Sequence, residues 1–252
     1  MTHKMTRREA ISTGFLTLSA LATMAYPTIK KYGYGATEFR KITDDLGLEV
    51  NTSHTPFKKT DWNISTKDLT DSFKKTIDDA LIMGQKILIV PSFDWDKTNW
   101  DQVKKGVEAF VGMAEIAKQA GLRIGYHNHD QEFTQTFNGE PLYDLMMKEW
   151  NPLTICQQLD VANMAIAGVD PMTYLRKYPH HFESLHVKDL VKATSKSTRL
   201  GDGDLNLDAI LAFARKNTTI QYWVLEQEDY GNQTPLDCME YNLSRFKRYG
   251  FI

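Results

Sequence analysis

The 252-residue chain carries 42% hydrophobic and 25% charged residues, the balance of a globular protein with one large domain or two small ones, which excludes a disordered or fibrous chain. Thirty Lys and Arg against 32 Asp and Glu leave a formal charge of −2 with no basic block, so nothing draws the chain toward nucleic acid. Cys156 and Cys238 are too few and too far apart for a disulfide framework or a metal-binding spacing, and read as packed thiols.

The first 25 residues, MTHKMTRREAISTGFLTLSALATMA, combine a basic start, the triplet Thr6-Arg7-Arg8, a run of apolar and small residues from Ala10 to Ala25, and alanines that suit a signal peptidase. This predicts a twin-arginine type of export signal and a periplasmic protein, with a plain amphipathic N-terminal helix and a cytoplasmic location as the alternative. The run is too short and too rich in Ser and Thr for a stable membrane span. Residues 26–35 then read as a linker, and residues 36–252 as one domain.

From Ala36 onward, helix-period segments alternate with short apolar runs. Thr37 to Leu46 predicts a helix closed by Gly47, followed by a strand in LEVNTSH (48–54). Ser65-Thr66-Lys67-Asp68 resembles a capping box that opens a helix running to Gly84. KILIVPSF (86–93) is a continuous apolar strand, and Trp100 to Ala120 an amphipathic helix stopped by Gly121. Four more units follow. LRIGYHNH (122–129) leads to a helix near 141–149, TICQQLD (154–160) to one near 170–178, ESLHVKD (183–189) to one near 206–216, and IQYWVLEQE (220–228) to one from Pro235 to about Tyr249.

Such alternation predicts a parallel sheet with helical crossovers, either doubly wound or closed as a β/α barrel. A nucleotide-binding doubly wound sheet carries a Gly-rich turn after its first strand. None stands there, and GDGD (201–204) follows a long polar loop. A barrel places polar residues at the C-terminal ends of several strands, and His54, His127, His129, Asp160, His186, Lys188, Glu226 and Glu228 have that placement.

Period-two geometry sorts the faces. Asp160 shares a face with Gln158 and Cys156, His186 with Lys188, and Glu226 with Val224 and Glu228, while Ile155, Leu159, Leu185, Val187, Trp223 and Leu225 point the other way. Three strands thus turn an ionisable group inward, where an unpaired charge is costly and a cation would compensate the carboxylates. One imidazole with two or three carboxylates suits Mn²⁺, Mg²⁺ or Co²⁺ better than a structural zinc site.

The motifs YHNHDQEF, QLDVANMAIAG, SLHVKDL, LGDGDLNLDAIL and YWVLEQE, in this order and spacing, resemble the sugar phosphate isomerase/epimerase family with its xylose isomerase-like TIM barrel. The resemblance implies one divalent ion, Mn²⁺ with Mg²⁺, Co²⁺ and Zn²⁺ as alternatives, held by Glu132, Asp160, His186 and Glu226. The first of these has a competitor, because many relatives carry a glutamate where this chain has His127. It further implies catalytic roles for Glu226, His129 and Lys188. The substrate side would be lined by His54, His127, Asn163 and Glu228, with Asn128 fixing local geometry.

The implied chemistry is proton removal next to a sugar carbonyl through an enediolate, giving isomerisation or epimerisation. The same chemistry would serve cleavage of 3-keto-glycosides, and a degenerate sugar-binding barrel is a third reading. The related endonuclease IV class would need more histidines and a cationic face. The partner expected is a small sugar or glycoside, with assembly into a homo-oligomer left open. A β/α barrel has eight strands, and six are found here. Relatives carry a further strand, helix and strand before the segment matching ATEFRKITDDLGLEV, whereas ten residues separate Ala25 from Ala36. The expected fold is therefore an incomplete α/β barrel with open edges at 48–54 and 220–228. Its activity would be weak or absent unless residues 1–35 or a second subunit cover the gap.

Overall fold

The computed structural model describes residues 33–92 and 94–250. The export-signal expectation concerns residues 1–25 and lies outside them. Among the described residues, six parallel strands form one sheet in chain order: β1 (Thr52–His54), β2 (Ile87–Val90), β3 (Arg123–His127), β4 (Ile155–Asp160), β5 (Phe182–Val187) and β6 (Tyr222–Leu225). The sheet curls as an open half-barrel. β1 pairs only with β2, and β6 only with β5, so both expected edges exist among the described residues.

Nine α-helices are described: α1 (Ala36–Leu46), α2 (Asp71–Ile82), α3 (Trp100–Gln119), α4 (Gln131–Thr134), α5 (Leu142–Glu149), α6 (Val161–Ile166), α7 (Pro171–Lys177), α8 (Leu207–Asn217) and α9 (Pro235–Arg248). Their ends follow local chemistry. Gly47 closes α1 at φ 68°, a left-handed conformation open to glycine, and Asn99 caps α3 by accepting from Asp101 N and Gln102 N. No helix described is long and apolar enough to cross a membrane.

One expected boundary is displaced. The run Ser65–Asp68 does not open a helix but turns a short hairpin between Trp62–Asn63 and Asp68–Leu69. Asn63 Oδ1 accepts from Ser65 N and Thr66 N, satisfying by a local turn the backbone donors that a cap would have served. The helix starts six residues later, where Thr70 Oγ1 accepts from Phe73 N. Further elements not expected are α4, α6, a 3₁₀ turn at Lys59–Asp61, and two hairpins, one pairing Thr136–Phe137 with Glu140–Pro141 and one pairing Asp189–Val191 with Lys196–Thr198.

Strand parity holds throughout the sheet. Leu88, Val90, Ile124, Tyr126, Ile155, Leu159, Leu185, Val187 and Leu225 pack into the large core beneath the helices. Ile87, Ile89 and Cys156, with Tyr222 against them, form a separate apolar layer inside the curl. Gly125 belongs to that inner layer. A Cβ there would stand 2.5 Å from Ile89 Cδ1 and 2.9 Å from Cys156 Sγ, so the floor of the barrel closes only around glycine. Above this floor, toward the strand C-termini, the inward side chains turn polar.

Candidate metal centre and catalytic site

The ends of β4, β5 and β6 bring Asp160, His186 and Glu226 together, one ligand atom from each lying within 4.8 Å of the others. Asp160 is fully buried, and its position is fixed from both directions. Asp160 N donates to Asn128 Oδ1 at 2.9 Å while Asn128 Nδ2 donates to Asp160 O at 3.2 Å. Its Oδ1 accepts from Ala162 N and Asn163 N, capping α6. Its Oδ2 is buried with no hydrogen bond, as is His186 Nε2. Two buried lone pairs without a hydrogen bond are what a bound cation would satisfy, and the residues present therefore fit a divalent ion.

Charge around the cluster is organised by Lys188, which is buried and stands 3.4 Å from Glu226 Oε2, 3.5 Å from Asp160 Oδ2 and 2.6 Å from Glu228 Oε2. These carboxylates outweigh burial and raise the Lys188 pKa, so the ammonium persists. Burial raises Asp160, opposed by Lys188 and His186. Burial also pushes Glu226 upward, but the His186 imidazole at 2.7 Å, together with Lys188, overcomes it and brings the carboxyl down to about 2. Its acidic neighbours in sequence, Glu183 and Asp189, are engaged elsewhere. Glu183 pairs with Arg123. The Asp189 carboxylate accepts from the backbone N–H groups of Leu190, Gly201, Gly203 and Leu205. The GDGD turn is thus a cradle for a carboxylate of its own chain.

Three imidazoles line the inner wall. The rings of His54 and His186 stack with centroids 5.4 Å apart, and His127 sits 4.8 Å from the first and 4.6 Å from the second. Gln158 joins two of them, its Oε1 lying 2.6 Å from His54 Nε2 and 3.1 Å from His127 Nδ1, while its Nε2 donates to Ser184 Oγ. Burial, reinforced by the neighbouring imidazoles, pushes His54 down to about 4 and His127 well below the usual histidine value. Both rings are therefore neutral at physiological pH. No role was assigned to Gln158 and Ser184 from sequence, although inward parity marks both.

Glu132 is not brought to this group. It lies on the short helix α4 and is held by other partners. Its Oε1 accepts from Lys97 Nζ at 2.5 Å and Tyr126 Oη at 2.7 Å, and its Oε2 accepts from His129 N at 2.7 Å. Burial raises its pKa, and Lys97 with the other donors more than reverses this, leaving the carboxyl lowered. Glu132 thus anchors the loop that carries His129, whose ring lies 5.0 Å from that of His127 at the mouth. Asn163, half-buried, donates from Nδ2 to Asn128 O and so braces the Asn128–Asp160 pair.

A parallel β/α half-barrel with carboxylates and imidazoles gathered at its strand C-termini is the arrangement of a β/α-barrel protein with its site at the strand ends. The chain belongs to the xylose isomerase-like TIM barrel family, whose model matches residues 8–248. It is 24% identical over 156 residues to an inosose dehydratase of Clostridium tetani, a match covering 55% of this chain. The chain spans about half the length of that relative, 50% of it being covered. Among solved structures it resembles a sugar phosphate isomerase/epimerase from Parabacteroides distasonis, with a TM-score of 0.71 and 25% identity over 85% of this chain and 76% of that one. A D-allulose 3-epimerase from Methylomonas sp. shares the fold, with a TM-score of 0.68 and 13% identity over 96% of this chain and 91% of that one.

Proposed function

We propose that the chain is a divalent-metal-dependent sugar isomerase or epimerase that moves a proton on a carbon next to a carbonyl. The observation that carries this reading is the convergence of Asp160, His186 and Glu226, with two buried lone pairs unspent, in a family whose structural neighbours include epimerases. An ion held by these residues would polarise the carbonyl and favour the negative charge that follows proton loss. Lys188 adds a fixed cation where that charge develops. Glu226, ionised and only partly covered, and His129 at the mouth are the groups suited to take the proton and return it. His54, neutral and held by Gln158, stands beside these groups and would line the sugar side.

Elimination is the second reading, favoured by the similarity to inosose dehydratase. It begins with the same proton removal and differs in what leaves from the neighbouring carbon, whether water or, for a 3-keto-glycoside, the aglycone. Incubation in deuterated water with ketoses, aldoses, inososes and 3-keto-glycosides separates the cases. Isomerase or epimerase action predicts deuterium at one carbon of an otherwise intact sugar. Elimination predicts an unsaturated or cleaved product, and exchange on none of these substrates would overturn both readings.

A further inference from the structure

We propose that His127 Nε2, not Glu132, completes this centre. The ion would then be held by two imidazoles and two carboxylates, His127, His186, Asp160 and Glu226, and the nitrogen-rich set would shift its preference toward Zn²⁺ and away from Mn²⁺. The inference rests on the metal-dependent reading above and specifies which residues hold the ion.

The tautomers follow from Gln158. Its Nε2 donates to Ser184 Oγ at 2.9 Å, which turns Oε1 toward His54 Nε2 and His127 Nδ1. An amide oxygen only accepts, so both ring atoms carry protons and the lone pair of His127 resides on Nε2. That atom lies 3.9 Å from Asp160 Oδ2, which accepts no hydrogen bond. His186 donates from Nδ1 to Glu226 Oε2, which leaves its buried Nε2 with a lone pair and no partner. Two groups of ligand atoms, His54–His127–His186 and Asp160–His186–Glu226, each lie within 4.8 Å of one another and share His186. Lone pairs facing one another in a buried space are costly, and Lys188 at 3.5 Å offsets them in part. A cation among them converts each into a ligand.

Glu132 has no comparable vacancy, since Lys97, Tyr126 and the His129 amide occupy both of its oxygens. Donor chemistry then sets selectivity, because imidazole suits Zn²⁺, Ni²⁺ and Cu²⁺, whereas carboxylate and water suit Mg²⁺ and Mn²⁺. The second imidazole at the head of the ligand set distinguishes this centre from one built with a single histidine.

The test is metal binding, independent of turnover. Full-length protein stripped by chelator is dialysed against equal Zn²⁺ and Mn²⁺, and bound metal is measured for wild type, His127→Ala, His127→Glu and Glu132→Gln. Wild type should hold one ion, and Glu132→Gln should match it in affinity and in Zn²⁺ to Mn²⁺ ratio. His127→Ala should lose about tenfold or more in Zn²⁺ affinity, by the measure of what even an outer partner of a metal ligand contributes. His127→Glu should retain an ion while its Zn²⁺ to Mn²⁺ affinity ratio drops by about tenfold. If His127→Ala does not fold, the other two variants still decide. Loss of the ion in Glu132→Gln, or an unchanged ratio in His127→Glu, overturns the assignment and leaves metal dependence standing. A wild-type chain that holds no ion sinks both.

Discussion

Asn128 and Asp160 exchange two hydrogen bonds across the ends of β3 and β4, side chain to backbone in both directions, at 2.9 and 3.2 Å. The pair continues the ladder beyond the point where the strand backbones part, and it sets the direction in which the Asp160 carboxylate leaves the barrel wall. Replacing Asn128 by Asp substitutes an acceptor for the Nδ2 donor and points it at a carbonyl in a fully buried place. Asn128→Asp should therefore cost roughly 1–3 kcal/mol of stability and weaken metal binding. Denaturant unfolding with a parallel metal titration checks this, and a variant unchanged in both would show that the pair is incidental.

Lys188 carries the second prediction. It is the cation set among Asp160, Glu226 and Glu228. Lys188→Met keeps the volume and removes the charge, leaving two largely buried carboxylates with no ammonium. Metal-free protein should lose on the order of 3 kcal/mol, and added Zn²⁺ or Mn²⁺ should restore part of that because the ion neutralises the same oxygens. Turnover should fall about 100-fold even with metal bound. Calorimetry with and without metal, beside steady-state kinetics, measures each effect, and wild-type turnover in the variant would remove Lys188 from the chemistry.

The inward placement of Asp160, His186 and Glu226 followed from strand parity alone, because a period of two leaves a side chain in a covered strand only one of two faces. The apolar floor obeyed the same rule, down to Gly125. Parity fails where a strand ends. Glu132 lies five residues past His127, and its direction is set by α4 and by Lys97, 35 positions earlier in the chain. No local pattern contains that partner. The cap at Ser65 failed for a related reason, since Asn63 supplies a turn that competes for the same backbone donors. Lys188 has acidic residues near it in sequence, yet it pairs with side chains from neighbouring strands, which only the curl of the sheet brings close.

Glu132 gives a prediction in pH. Its folded pKa is lowered, so it binds its proton less readily in the folded chain than in the unfolded one. Its contribution to stability is therefore present above the unfolded glutamate value of about 4.3 and is lost as pH falls through the lower folded value. Unfolding free energies of wild type and Glu132→Gln, measured over a pH series, should differ most at neutral pH and converge in acid. A difference that stays constant across the series would show that the Lys97–Glu132 pair adds no charge-dependent stability.

The central claim is that Asp160, His186 and Glu226 hold one divalent ion on which proton transfer depends. The most direct measurement is the metal content of wild type, Asp160→Ala and Glu226→Ala, purified alike and exposed to the same ion after chelation. The account predicts one ion per chain in wild type and a large loss in both variants, with the loss of exchange in deuterated water following the loss of metal. Equal metal content in all three proteins would contradict it.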